Sequence, residues 1–174
     1  MKIFLLIGIC YVGAFGQQLL PALSIESSIT YWGVGADLLV IPDTNLAFSV
    51  GLVFSQEYGK KELPGIYAWS PPAPHSWWVF QNDHEPVKSF PGVSFGLYVF
   101  RTFHINAVID YTHYEKYKVW VSPPSGLTFH TKNGEVSKLG FGAGIHFKIG
   151  EHSYVGLMYH EIKGYGLRYT FSAL

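Results

Sequence analysis

The sequence predicts an all-β fold: eight strands closed into an antiparallel up-and-down barrel, behind a cleaved signal peptide. Three observations predict it. Apolar residues alternate with small or polar ones along most of the chain, an apolar leader opens it, and the connections alternate between tight and long. In the closing stretch Tyr165, Leu167, Tyr169 and Phe171 share one face and Gly166, Arg168 and Thr170 the other, because successive side chains of a strand point to opposite sides. No stretch shows a helical period.

Residues 1–16 carry one basic residue, Lys2, an apolar run and a small-x-small ending at Ala14-Phe15-Gly16. This is the layout of a secretory leader cut before Gln17. The run is too short to span a bilayer as a helix, which takes about 20 apolar residues. Cys10 lies inside the run rather than at the cleavage point, which speaks against lipidation. Residues 17–174 then form one domain without cysteine, so neither a disulfide nor a thiolate metal site is expected.

Six of the eight strands are justified by their own alternation, the last of them above. The predicted strands lie near 18–26, 28–41, 45–58, 87–100, 104–121, 135–149, 153–161 and 163–172. In the second, Trp32, Val34, Ala36, Leu38 and Val40 oppose Tyr31, Gly33, Gly35 and Asp37. In the third, Leu46, Phe48, Val50, Leu52 and Phe54 oppose Ala47, Ser49, Gly51 and Ser55, with Val53 out of pattern. Val93, Phe95, Leu97 and Val99 oppose Gly92, Ser94, Gly96 and Tyr98. Ile105, Ala107, Ile109 and Tyr111 oppose Asn106, Asp110 and Thr112, with Val108 as the exception. Leu139, Phe141, Ala143, Ile145, Phe147 and Ile149 oppose Lys138, Gly140, Gly142, Gly144, His146 and Lys148. Tight turns fall at 42–45, 101–104 and 150–153; the long excursions are 59–86 and about 121–136. Asn133-Gly134 is a hairpin-turn signal, so a protruding hairpin is expected there, with Pro123-Pro124-Ser125-Gly126 as loop punctuation.

Alternation alone does not say which face is outside. A secreted lipocalin-like carrier would turn its apolar face inward. The non-apolar face here is rich in Gly, Ser and Ala, with few charges, and strand glycine packs nothing on a solvated surface. Small residues suit a narrow, crowded lumen, and eight strands leave room only for side chains. Aromatic residues near strand ends, Tyr31, Trp32, Tyr58, Tyr98, Phe100, Tyr111, Tyr165, Tyr169 and Phe171 among them, supply interfacial girdles. Charged residues make up only 14% and aromatics 17% of the chain, against about a quarter charged in soluble proteins. The apolar face is therefore expected in lipid, as a transmembrane β-barrel of a bacterial outer membrane.

Four features carry a resemblance: the leader ending before Gln17, Gly33-Val34-Gly35-Ala36-Asp37, the stretch from Ser49 to Ser55, and the closing Tyr165 to Phe171. Together they make the whole chain beyond the leader similar to small outer-membrane β-barrels, and within these to the OmpA-like and PorT-like barrel domains of Bacteroidetes. The resemblance implies that Tyr165, Leu167, Tyr169 and Phe171 form the assembly signal read by the barrel-assembly machinery. Ser172-Ala173-Leu174 departs from it, since such chains often stop at the aromatic residue.

Functional candidates follow from the face assignment. Asp37, Asp110, Lys138, Lys148 and Arg168 are expected to share the lumen as a charge network, with Glu26 and Glu57, and to close it as a salt-bridged plug. The first long loop, with Trp69, Trp77 and Trp78 among prolines, is the candidate surface for an extracellular ligand or envelope protein. Lys plus Arg equals Asp plus Glu at 12 each, so no overall field favours nucleic acid. The eight histidines lack metal-ligand spacing: His75, His84 and His130 are expected in loops, His104 and His152 in turns, with His113, His146 and His160 on strands. No catalytic, cofactor or metal residue is assigned. The alternative is a lipid A-modifying enzyme using His113 or His160, in Tyr111-Thr112-His113-Tyr114-Glu115 and Tyr159-His160-Glu161. No serine can be placed beside either histidine from sequence.

Overall fold

The computed structural model describes residues 18–42, 45–59, 67–68, 76–99 and 102–173. The predicted leader, residues 1–16, lies outside them. Ten strands follow one another: β1 (Gln18–Ser28), β2 (Tyr31–Ile41), β3 (Leu46–Glu57), β4 (Tyr67–Ala68), β5 (Val79–His84), β6 (Ser89–Val99), β7 (Phe103–Val121), β8 (Thr128–Lys148), β9 (Ser153–His160) and β10 (Gly164–Ser172). Two compact units divide them. The first holds the chain up to Gln56, Phe90–Tyr111 and Leu139 onward; the second holds Glu57–Ser89 and Thr112–Lys138.

The first unit is an eight-stranded antiparallel β-barrel. Its strands run in the order β8, β9, β10, β1, β2, β3, β6, β7, and β7 pairs back to β8. The ring is joined between the chain's first and last strands, with Leu23 opposite Phe171 and Glu26 opposite Arg168. All eight barrel strands were expected from the sequence, six of them on an explicit period of two. The two short strands β4 and β5 were not, because two to six residues are too few to establish a period.

The apolar faces point outward around the whole ring. Leu23, Val34, Phe48, Leu52, Phe95, Ile109, Phe141, Leu157 and Tyr165 are all exposed, several by half or more. On β3 the apolar band runs from Leu46 to Phe54, nine residues and about 27 Å along the strand at the usual rise. A tilted membrane-crossing strand needs about that length.

The interior is filled by pairing large polar side chains with glycines. A Cβ on Gly156 would lie 2.6 Å from the His146 ring, and one on Gly142 would lie 2.7 Å from His160. The inward glycines are thus where a neighbour's side chain lies flat across the lumen. Val53 and Val108, the two residues that broke the alternation, meet Met158 in an apolar layer inside the barrel.

The second unit is a small sheet in which β5 pairs with β7 and β4 pairs in parallel with β8. The expected hairpin at Asn133-Gly134 is corrected. The chain reverses at 122–127, where the Ser122 carbonyl accepts from Ser125 N and Gly126 N. Asn133 and Gly134 lie within β8, with Gly134 at φ +134°. Across the β7–β8 pair, Ser137 meets His113 and Lys132 meets Glu115.

Candidate functional site

The lumen holds two tiers of charge. In one, Arg168 of β10 reaches Asp37 of β2 with Nη2 3.2 Å from Oδ2, and the same nitrogen donates to Ser24 Oγ at 2.7 Å. Ser94 of β6 donates to the other carboxylate oxygen of Asp37. Four strands are tied through one ion pair, and Arg168 and Asp37 are 1% and 6% exposed.

In the other tier, Lys163 stands 2.8 Å from Asp110 Oδ2 and 3.4 Å from Glu26 Oε1, and donates to Ser55 Oγ at 2.9 Å. His160 Nε2 lies 3.0 Å from Asp110 Oδ2. The cavity beside this tier, lined in part by Glu26, Tyr31, His160 and Lys163, measures about 30 Å³. Sites for small organic ligands usually occupy about 300–1,000 Å³. Toward the tight-turn end, Leu39, Ala22, Ala47, Tyr98 and Tyr154 form a floor. His104 stacks on Tyr98 there at 4.0 Å, with His146 5.1 Å from His104.

Of the charges expected to share the lumen, Asp37, Asp110, Arg168 and Glu26 are brought into it. Lys138 is solvent-exposed and belongs to the second unit, and Lys148 is half-buried; neither joins an ion pair seen among the described residues. Glu57 lies in the second unit and accepts from Lys88 N at 3.3 Å. Lys163 was missed. It sits in the short turn between two strands, where nothing in the local sequence says that a lysine folds inward.

Four of the histidines are withdrawn from solvent. His104, His146 and His160 are buried inside the barrel and His130 is buried in the second unit. Expected in a turn, His104 is instead a strand residue whose ring lies over Gly96 of the adjacent strand β6. Tyr31 and Tyr98 also point inward, so they are not girdle residues. His75 and Phe100 lie outside the described residues. Among the described residues, no three His, Cys, Asp or Glu side chains gather as a metal site.

The second unit carries an aromatic surface. Phe80 meets Trp120 edge to face at 5.5 Å, and Trp120 Nε1 donates to Thr131 Oγ1 at 2.9 Å, fixing the indole. Trp78 is buried, stacked on Phe129 at 4.4 Å, and holds the half-exposed Trp77 edge to face. Trp69, the third predicted loop tryptophan, lies outside the described residues. Around this surface Glu85 binds Lys116 and Lys88, both at 2.8 Å. The hydrogen bond from Lys116, then that from Lys88, holds the Glu85 carboxyl down to about 2. On the opposite face of β7, His113 Nδ1 lies 2.9 Å from Ser137 Oγ, a neighbour the sequence could not supply. Tyr165, Leu167, Tyr169 and Phe171 line the outer face of β10, from 42% to 77% exposed.

No protein-family profile and no curated protein matches the chain. Among solved structures it is similar to Ail, the attachment invasion locus protein of Yersinia pestis. The similarity covers 88% of this chain and 91% of that one at 10% identity, with a TM-score of 0.43. A second Ail structure, in complex with the heparin analogue sucrose octasulfate, aligns over 88% and 92% at 9% identity with a TM-score of 0.36.

Proposed function

We propose that this chain is an outer-membrane β-barrel protein of a bacterium, exported by its leader, in which a closed barrel anchors a β-sheet unit for binding at the cell surface. One observation carries the reading. The barrel's outer face is a continuous apolar band while its interior is polar and packed, and a band of that kind is stable in contact with lipid. Filled tiers and a small cavity support a structural or binding role over transport. They also speak against a lipocalin-like carrier, which would need an apolar interior cavity. The aromatic surface around Trp77, Phe80 and Trp120 is the part we assign to a ligand or an envelope partner, with lipid and the barrel-assembly machinery as the barrel's own partners. The closing strand and Gly33–Asp37 supply the finer likeness to OmpA-like and PorT-like domains. The role is non-enzymatic, with no cofactor.

Expression with the native leader tests it, followed by outer-membrane fractionation and gel mobility with and without heating. A detergent-extracted band that runs faster unheated is the expected result; a soluble periplasmic protein overturns the reading. Probing the purified protein and its Trp77→Ala and Phe80→Ala variants on glycan and peptide arrays then tests the binding surface.

The His113–Ser137 contact favours a second reading, an ester hydrolase of the outer leaflet in which His113 would take the Ser137 proton. A fluorophosphonate probe that labels the protein but not its Ser137→Ala variant would establish it. His160 is ill-suited to this role, because its Nδ1 faces two backbone donors, Ile162 N and Lys163 N.

A further inference from the structure

His160 ends β9, and its ring determines the shape of the turn that follows. Nδ1 lies 3.2 Å from Ile162 N and 3.3 Å from Lys163 N. Backbone N–H groups only donate, so Nδ1 is the unprotonated nitrogen. Nε2 then carries the hydrogen and lies 3.0 Å from Asp110 Oδ2. The turn closes through Gly164 at φ +74°, a left-handed conformation that suits glycine. It delivers Lys163 into the barrel, against Asp110, Ser55 and Glu26, with Nζ 5.7 Å from the Phe90 ring centre. One neutral imidazole thus holds the backbone whose lysine lines the cavity.

The groups facing this pair come from every neighbouring strand. Asp110 is on β7, Glu26 on β1, Ser55 on β3, Tyr31 on β2 and Phe90 on β6, while β8 presents only Gly140 and Gly142. A second proton on His160 would convert Nδ1 from acceptor to donor. Both backbone N–H groups would then face an N–H and lose their partner. Two cations, His160 and Lys163, would also crowd the one Asp110 carboxylate.

We propose that the β9–β10 turn is an acid-operated latch: neutral His160 seats Lys163 in the barrel, and protonated His160 releases the turn, opening the cavity beside Glu26 and freeing Lys163 from Asp110. The Asp37–Arg168 tier and the aromatic floor are untouched by this change. The latch therefore opens access to one end of the lumen, not a path through it.

The test uses the chain from Gln17 onward, folded in micelles. Protection of the Ile162 and Lys163 amides is measured by NMR hydrogen exchange, corrected for intrinsic rates, at about pH 8 and about pH 5, either side of the ordinary imidazole range. Losing two hydrogen bonds should lower protection about tenfold or more at the acid end, and His160→Gln should show no such step. Residues 17–174 contain no cysteine, so Val108→Cys gives a single reporter lining the cavity. Its labelling by a neutral thiol reagent, normalised to an exposed cysteine, should rise at acid pH. In Val108→Cys combined with Lys163→Met it should be high at both, with the amide step retained. Equal protection at both pH values, or the same step in His160→Gln, overturns the proposal. Should His160→Gln fail to fold, ring ¹⁵N shifts of the unaltered protein decide it: Nδ1 protonation must coincide with the amide step, and a step uncoupled from it overturns the latch.

Discussion

Arg168 and Asp37 meet inside the barrel at 3.2 Å, each almost fully withdrawn from solvent. They lie 131 residues apart in sequence, yet are separated in the sheet only by β1. The closure of β10 onto β1 brings them together, so the pair is a consequence of the ring and helps to define it. Its energetic meaning is asymmetric. Burying both charges costs much of what their attraction returns, whereas removing one leaves the other uncompensated.

Arg168→Met should therefore destabilise the folded barrel by about 3–5 kcal/mol, by leaving Asp37 buried without its cation. Adding Asp37→Leu should recover most of that loss. Urea unfolding in detergent of the two single variants and the double variant checks this. A double variant as unstable as the sum of the singles would mean that the pair is not coupled.

Phe141 is half-exposed on the outer face, and Gly142 beside it faces His160. Phe141→Arg should hinder insertion by about 2–4 kcal/mol near the bilayer midplane. Gly142→Arg should instead disturb the lumen, where even a Cβ would crowd His160. The fraction of heat-modifiable protein in lipid vesicles separates the two. Phe141→Arg inserting as well as an exposed loop variant would count against the face assignment.

Glu85, in the segment between β5 and β6, pairs with Lys88 of that segment and ties it to β7 through Lys116. Its carboxyl is held down from 4.5 to about 2. A carboxyl lowered on folding contributes stability above its unfolded value and loses it as pH falls through its folded one. The Trp77, Trp78 and Trp120 fluorescence should stay native at pH 5 and change between about 4.5 and 2. Glu85→Gln should remove that transition. With a third of the side chain exposed, solvent keeps the effect modest.

Gly134 lies within β8 at φ +134°, a conformation that side-chain-bearing residues rarely adopt. Gly134→Val should strain the second unit by about 1–3 kcal/mol. Heat-modifiable mobility of the barrel should be unchanged, while denaturant sensitivity of the tryptophan signal increases. Equal stability would show that the backbone there adapts without glycine.

The sequence by itself determined the barrel. Period-two alternation needs only neighbours along a strand, so six of the eight barrel strands, and the Gly- and Ser-rich face that lines the lumen, could be read from it. It also marked Asp37, Asp110 and Arg168 as lumen residues, because their sides follow from the same parity. Only the tertiary structure decided what those charges meet. Lys163 enters the barrel from a turn, where no periodicity applies, while Lys138 keeps the predicted parity yet stays in solvent within the second unit. Asn133-Gly134 reads locally as a reversal, but β8 pairs with β7 and runs on through it. His160 met Asp110 two strands away, and Ser137 met His113 on the next strand, for the same reason. Parity along one strand sets which way a side chain points, but its partner is set by register between strands, which no single strand encodes.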